Sequence, residues 1–360
     1  MNHSKKGVVD TQLNWIFVLI VGGIILIFFI GAFNWYKTKK NTEFADEVLT
    51  KLRAVMTSSE VSENTAKVIA IPEVPLVFTC YLDTCGEFGC TSQFEFENTG
   101  VRQNTEVDIV FATNKIESDT LLTWSLPWKA PYKVADFLYL SNPRVRYILV
   151  YDGDDSRSMA LAKKVDEILS ANQYIKKEIL EETEVPHVKD QNDYFIKFVL
   201  FFDPGAKQIN IHETLRKKQN WDVIFVYGDE NSGNLKFSKI LGEMRVPDDK
   251  KTFTYLGTPF LVGAIFSETY EFYICNVKKA YIRWKMVNEV YWKRTEILQK
   301  SFAEDRLCEF FYNDNLLDKF KEINRTLRLE NPPVEDLKDE ISFIEDTNDR
   351  VENKDCPKVY

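Results

Sequence analysis

RYILVYDGDDSRSMALAKKVDEIL, residues 146–169, gives the clearest indication of how this chain folds. Its first seven residues form a nearly continuous apolar run that ends in Asp152, a pattern typical of a strand buried on both faces of a sheet. The remainder predicts a helix, because Ser156 or Ser158 can cap it and apolar residues recur at helical spacing as far as Leu169. A strand followed directly by a helix indicates an α/β unit.

Two further stretches repeat the buried-strand pattern. They are YFIKFVLFFD at 194–203 and WDVIFVYG at 221–228. NLKFSKILGEM, at 234–244, is interpreted as another short helix. Strands that alternate with helices favour a small, mostly parallel sheet, so we predict an α/β, Rossmann-like domain over 146–265.

The preceding section, 67–145, is predicted to be rich in β-strands, because short apolar or alternating segments are separated there by Pro and Gly. It includes FTCYLDTCGEFGC at 78–90, which we interpret as a cysteine-bearing hairpin. An aromatic stretch at 123–141 is predicted to be an irregular loop that packs on the sheet, with a partner-binding surface as the alternative.

The C-terminal part is predicted to be helical. Residues 267–302 contain no Pro or Gly and repeat apolar residues at helical spacing, which predicts a long amphipathic helix within a helical region at 266–330. The end of the chain, 331–360, is acidic and contains Pro, and we interpret it as a loosely held acidic tail.

The N-terminal part contains WIFVLIVGGIILIFFIGAF, residues 15–33, nineteen residues without a charge. As a helix these residues span roughly 28 Å, close to the hydrocarbon thickness of a bilayer. We therefore predict a polar tail at 1–13, a transmembrane helix at 14–36 in the lipid bilayer, and an amphipathic stalk at 37–66. Apolar residues of the stalk recur at helical spacing and indicate a stripe that packs on the body or self-associates. They are Phe44, Val48, Leu52 and Val55.

Cysteine spacing bears on the compartment of the body. The chain has six cysteines and no CxxC pair, and the C-x4-C-x4-C run does not match the usual zinc spacing. Disulfides, free structural thiols and a metal site all stay open, and up to three disulfides in an extracytoplasmic body are favoured. A disulfide between Cys275 and Cys308 would join the two helices of a hairpin, and a disulfide of Cys356 would attach the tail to the body. The disulfide candidates are Cys80, Cys85, Cys90, Cys275, Cys308 and Cys356.

Acidic residues follow each of the three buried strands. Ligands of open α/β sheets bind outside the carboxyl ends of the strands, and clustered carboxylates there suit Mg²⁺ or Ca²⁺. The alternative is structural, because Asp, Gly, Pro and Asn are also the residues that turns prefer. The candidate metal ligands are Asp152, Asp154, Asp155, Asp203, Asp229 and Glu230.

No nucleotide-binding, hydrolase or zinc-protease motif occurs in the sequence, so no catalytic residue is assigned. The net charge is −9 and no long basic run is present, which argues against a nucleic-acid partner.

SKKGVVDTQLNWIFVLIVGG, residues 4–23, resembles the class III signal segment of archaeal type IV pilin-like proteins. The resemblance implies cleavage after Gly7 and an apolar helix that forms an assembly core. The segment departs from the family in its polar VVDTQLN insert and in Gln12, where the family often has Glu. The whole N-terminus is also similar to that of uncharacterised archaeal single-span membrane proteins.

These observations predict a single-pass, membrane-anchored, extracytoplasmic protein that acts in the cell envelope as a non-catalytic interaction module with an unidentified protein partner. Two alternatives stay open. One is a pilin-like structural subunit, and the other is a divalent-metal-dependent hydrolase or phosphotransferase that uses the acidic strand ends.

Overall fold

The computed structural model describes residues 6–59, 65–189, 194–203, 210–218, 220–241, 244–329 and 332–360, with side chains from Phe17 onward and not at 55–59. Helix α1, Lys6–Ser59, is one continuous helix of 54 residues. Its large apolar side chains from Phe17 to Phe33 are exposed. Within the described ranges, α1 is the one helix long and apolar enough to cross a membrane. The predicted polar tail is helical from Lys6 onward, and its first five residues lie outside the described part.

The second half of α1 packs on the body of the protein. Ala45, Val48, Leu49 and Leu52 are buried at 0–4% exposure and belong to one core cluster with residues of the β-rich section. Their spacing of three and four residues places them on one face of the helix. The amphipathic stalk therefore packs on its own chain, as the first of the two alternatives predicted. Val55 lies outside the residues whose side chains are described.

The β-rich section forms two four-stranded sheets, with strand orders β1-β7-β8-β5 and β4-β3-β2-β6. The predicted aromatic loop at 123–141 is wrong. It is a two-stranded hairpin that turns at the cis peptide bond before Pro131, and Trp124, Trp128 and Tyr139 are buried in the core. Pro127 and Pro131 suggested a loop, but Pro131 falls at the turn. The strands are β1 Ala66–Ala70, β2 Leu76–Cys80, β3 Ser92–Phe96, β4 Arg102–Thr105, β5 Val110–Ala112, β6 Lys115–Ile116, β7 Thr120–Lys129 and β8 Lys133–Ser141.

The following section is a six-stranded mixed sheet with helix α2, Ser156–Ser170, and the short helix α3, Glu213–Lys218. The three predicted buried strands are present, and Asp155 rather than a serine caps α2. The sheet order is β10-β9-β11-β12-β13-β14, of which the first four strands are parallel and the last two pairs antiparallel. The strands are β9 Val145–Tyr151, β10 Lys176–Glu181, β11 Phe195–Leu200, β12 Trp221–Gly228, β13 Ser232–Leu241 and β14 Met244–Leu256.

The predicted short helix at 234–244 is wrong, because this segment contributes strand β13. Leu235 and Phe237 are buried and Lys236 between them is less so, which is the two-residue period of a strand. Gly228 and Gly233 lie opposite each other where β12 turns into β13. A Cβ on Gly228 would come within 2.5 Å of the Ser232 carbonyl oxygen, so this turn requires glycine.

The helical region begins with α4, Thr258–Phe266, which is buried along most of its length, and continues with α5, Tyr270–Ser301. The long amphipathic helix predicted at 267–302 is thus confirmed. The main core lies between the sheets and these helices. In it, the ring centroid of Trp128 lies 4.8 Å from that of Phe260 and 5.4 Å from that of Trp284.

The predicted loosely held tail at 331–360 is wrong. After α6, Asp314–Thr326, the chain forms helix α7, Val334–Glu352. Leu337, Ile344 and Val351 are fully buried, at intervals of seven residues. The acidic residues that dominate the composition lie between these apolar positions, so the composition concealed an amphipathic helix.

All six cysteines form disulfides. The pairs are Cys80–Cys275, Cys85–Cys90 and Cys308–Cys356, and no cysteine is free. Disulfide pairing, favoured from the sequence, is thus borne out, and Cys356 does tie the end of the chain to the body. The suggested staple between Cys275 and Cys308 is wrong, because each has another partner. The cysteine-bearing hairpin predicted at 78–90 is not formed within these residues. Strand β2 is followed there by a 3-10 turn at Leu82–Thr84 and by a loop that the Cys85–Cys90 disulfide closes.

Candidate functional site

The carboxyl ends of the parallel strands lie along one edge of the mixed sheet. Strand β9 is paired with β11, and β11 with β12, all in the same direction. Asp152 follows β9, Asp203 comes three residues after β11, and Asp229 and Glu230 follow β12. A parallel arrangement brings these ends together, as the sequence predicted.

These acidic residues surround a cleft, which we call the acidic cleft, with a volume of about 600 Å³. It is open to solvent and also includes Arg157 and Tyr227. Asp154 is exposed and does not line the cleft, so the structure separates it from the other candidates. The predicted ligands that line the cleft are Asp152, Asp155, Asp203, Asp229 and Glu230.

Three of these carboxylates stabilise the backbone around the cleft. Asp152 Oδ1 accepts a hydrogen bond from the amide of Asp154, and Asp155 Oδ1 accepts one from the amide of Arg157 at the start of α2. Asp229 Oδ1 accepts two, from the amides of Asn231 and Ser232, at 2.8 and 2.9 Å. Such bonds to backbone amides are the usual function of Asp in turns and caps. The structural alternative therefore accounts for part of the cluster.

The carboxylates are not assembled as a metal cage. In the part of the chain that the structure describes, one group of three or more potential ligand atoms lies within 4.8 Å, and it consists of Cys85, Cys90 and Cys275. Those cysteines are disulfide-bonded and offer no thiolate. A divalent cation in the acidic cleft would therefore need movement of the carboxylates or ligation through water, as Mg²⁺ commonly has.

Two further acidic residues at this edge were missed from the sequence. Glu181 ends β10 and Glu182 follows it, and β10 lies beside β9 in the same direction. The Glu182 carboxylate accepts a hydrogen bond from the amide of Gly153 at 2.9 Å. The segment KKEILEE, residues 176–182, also ends in acidic residues, as the three predicted strands do. It was not recognised as a strand because most of its residues are charged. Near the cleft, burial raises the pKa of Tyr227, and Asp203 adds to this while Lys236 opposes it.

Two buried lysines were also missed. Lys197 lies in β11 at 3% exposure, donates to the carbonyl of Ser267, and is 3.9 Å from Asp222. Lys279 lies in α5 at 2% exposure and donates to Ser92 Oγ at 2.6 Å and to the carbonyl of Asp108 at 3.0 Å. Burial lowers the pKa of both amines, that of Lys279 to about 8. Both join separate elements of the fold through charge-assisted hydrogen bonds.

A shallow groove along α5, which we call the α5 groove, is lined largely by apolar side chains. Met286, Val290, Ile297 and Leu298 line it, with charged residues such as Lys293 beside them. Val290 and Ile297 are each 65% exposed. They are seven residues apart and therefore lie on one face of the helix.

Comparisons with protein-family models, with curated proteins and with solved structures gave no match.

Proposed function

We propose that the chain is a single-pass membrane protein whose body lies in an oxidising, extracytoplasmic compartment and acts through contact with another protein. The observation that carries the proposal is the division of α1. Its first part exposes a run of large apolar side chains to the surroundings, while its second part is buried against the body at Ala45, Val48, Leu49 and Leu52. A helix with these two environments anchors a folded body to a bilayer at short range.

The disulfides support the location of the body. Three disulfides that use every cysteine are typical of proteins outside the reducing cytosol. Exposed apolar side chains such as Phe28 and Phe29 support the membrane assignment, because water does not favour such a surface.

Single reporter cysteines test the topology. In cells that express the chain, Lys163→Cys places an exposed thiol on α2 and Ser4→Cys places one before the apolar span. We expect a membrane-impermeant maleimide to label the first in intact cells and the second only after lysis. The reverse pattern would contradict the proposed orientation, and labelling of both in intact cells would contradict a membrane-spanning α1.

The α5 groove supports an interaction function. Adjacent exposed apolar residues on a helix mark surfaces that bind other proteins. A photo-crosslinking amino acid at position 290 or 297 is expected to capture a protein in the native membrane, whereas the same residue at 163 is not. Equal capture at all three positions, or none at 290 and 297, would remove this proposal.

A pilin-like subunit is the second candidate, and the continuity of α1 favours it. The resemblance at residues 4–23 implies an apolar helix that forms an assembly core, and α1 extends such a helix directly into the body. The mass of the mature protein tests this candidate. Cleavage after Gly7 gives a chain that begins at Val8, whereas an intact Met1 in protein from its natural membrane contradicts it.

A divalent-metal-dependent hydrolase or phosphotransferase is the third candidate. The parallel strands have the order β10-β9-β11-β12, which is 2-1-3-4 in chain order and agrees with the start of the 2-1-3-4-5 order of doubly wound sheets. Its switch point falls between β9 and β11, and Asp152 and Asp203 line the acidic cleft there. Arg157 in the same cleft is a cation for an anionic group.

Calorimetry of the full chain in detergent micelles with Mg²⁺, Mn²⁺ or Ca²⁺ tests the third candidate. Asp203→Asn is expected to abolish the binding heat. Asp154→Asn is the matched control, because Asp154 is exposed and outside the cleft, and it should leave the heat unchanged. No heat from any of the cations, or equal loss in both variants, would contradict the candidate.

A further inference from the structure

Two disulfides lie side by side where β2 and β3 meet α5. The Sγ atoms of Cys85, Cys90 and Cys275 are all within 4.8 Å of one another. They belong to different disulfides, because Cys85 is bonded to Cys90 and Cys275 to Cys80. Disulfides rearrange when a thiolate attacks a neighbouring disulfide sulfur, so this proximity is what an exchange reaction requires.

The exposure of the four cysteines indicates where an external thiol can attack. Cys80 and Cys85 are partly exposed, whereas Cys90 and Cys275 are fully buried at 0%. The loop that Cys85 and Cys90 close also exposes Phe88, at 70%. An external thiol that attacks Cys85 therefore displaces Cys90, next to Cys275, and one that attacks Cys80 displaces Cys275, which lies beside the same Cys85–Cys90 bond.

A buried cation is hydrogen-bonded to the residue that lies opposite Cys80. Lys279 follows Cys275 by one helical turn, and its Nζ donates to Ser92 Oγ at 2.6 Å. Ser92 is the residue paired with Cys80 across β2 and β3. Because its pKa is about 8, Lys279 is still mostly protonated at neutral pH. A nearby ammonium group favours the thiolate form, which makes Cys80 a better leaving group.

We propose that these four cysteines form a thiol–disulfide exchange site that accepts an external thiol, such as the reactive cysteine of a dithiol oxidoreductase. The external thiolate bonds to Cys85 Sγ, and the Cys85–Cys90 bond breaks with its electron pair on Cys90. The Cys90 thiolate bonds to Cys275 Sγ and displaces the Cys80 thiolate. Cys80 then attacks Cys85 and releases the external thiolate. The products are Cys90–Cys275 and Cys80–Cys85, with no net oxidation or reduction.

The third disulfide is an internal control. Cys308 and Cys356 are buried at 6% and 5%, and in the described part of the chain neither belongs to a group of three close ligand sulfurs. An external thiol should therefore neither reach this pair readily nor start an exchange there. The proposal depends on these distances and exposures and not on the proposed function of the body.

The first test is Cys80→Ser in the full chain, purified in detergent micelles and analysed by non-reducing peptide mass mapping. The substitution leaves Cys275 as a free thiol beside Cys85–Cys90. We expect it to displace one of them, so that Cys275 is found cross-linked to Cys85 or Cys90 and the free thiol moves to the loop. Cys308→Ser should leave its free thiol on Cys356. An intact Cys85–Cys90 pair beside a free Cys275 overturns the proposal.

The second test uses the unsubstituted chain and does not depend on a variant that folds. A limiting amount of reduced glutathione is added, and free thiols are then trapped with N-ethylmaleimide. We expect loss of the Cys80–Cys275 pair, appearance of Cys90–Cys275, either a glutathione adduct on Cys85 or the Cys80–Cys85 pair that replaces it, and an intact Cys308–Cys356 pair. Adducts that appear equally early on Cys308, or a Cys80–Cys275 pair that persists after Cys85–Cys90 opens, overturn the proposal.

Discussion

Removal of the Cys80–Cys275 disulfide is expected to destabilise the body more than removal of either other disulfide. Its cysteines are separated by 195 residues, compared with 48 for Cys308–Cys356 and 5 for Cys85–Cys90. A disulfide lowers the entropy of the unfolded chain by an amount that grows with the logarithm of the loop it closes. The corresponding free energies are about 5, about 4 and about 2 kcal/mol at 25 °C.

The measurement compares three double Cys→Ala variants, so that no unpaired thiol is left to exchange. Full-length protein in detergent micelles is unfolded in urea without reductant and followed by tryptophan fluorescence. Trp124, Trp128 and Trp284 are 0–2% exposed, so unfolding changes their surroundings and shifts their emission. We expect the largest fall in the free energy of unfolding for Cys80→Ala with Cys275→Ala, and the smallest for the pair at 85 and 90.

The rank order of the three free energies of unfolding tests the loop-length argument more strictly than any single value. If loss of Cys85–Cys90 costs as much as loss of Cys80–Cys275, loop length does not control the stabilisation. An unfolding slope that changes together with the midpoint would indicate that the unfolded state itself has become more expanded, as the entropic argument requires.

Substitutions at three other positions have definite expectations in the same assay, and two of these positions have a matched control. Leu52→Ala removes a fully buried side chain that packs α1 on the body, and it should lower the free energy of unfolding by about 2–5 kcal/mol. Its control, Lys51→Ala, changes an exposed side chain and should lower it by less than about 0.5 kcal/mol. Gly228→Ala should lower the free energy of unfolding more than Gly100→Ala. Both glycines have a positive φ, but only a Cβ at position 228 would lie 2.4 Å from a backbone atom. Burial lowers the pKa of Lys279 from 10.5 in the unfolded chain to about 8 in the folded protein, so the unfolded chain binds more protons between these two pH values. The free energy of unfolding should therefore rise by up to about 3 kcal/mol as the pH rises from about 8 to about 10.5. The Lys279→Met variant should lack this rise.

The parts of the fold that the sequence predicted well are those whose signal is local. Strands β9, β11 and β12 were found because almost every residue in them is apolar, and α5 because its periodic pattern is long. Strand β13 was missed because its apolar residues are few and its Lys residues resemble the exposed face of a helix. Helix α7 was missed because its acidic composition outweighed an apolar residue every third or fourth position.

The site shows the same limit. The sequence predicted that acidic residues would meet at one edge of the sheet, and the acidic cleft contains five of the six. It gave a structural role in turns as the alternative but did not assign that role to Asp229 and Asp155, because their backbone hydrogen bonds depend on local turn geometry. Disulfide pairing was equally out of reach, since the partner of Cys80 lies 195 residues away and only tertiary contact selects it.

The proposed exchange site and helix α1 are physically connected through α5. Phe272 is one turn before Cys275 and is buried in the same core cluster as Val48 and Leu52 of α1. Asn276 accepts a hydrogen bond from the amide of Val110 at 3.0 Å, which ties the next residue of α5 to the sheet of β8. A change of partner at Cys275 would therefore act on a packed core rather than on a mobile loop, and packed cores respond to small displacements by changing contacts. Helix α1 would be affected by that change, because its buried residues Ala45, Val48, Leu49 and Leu52 all belong to this cluster.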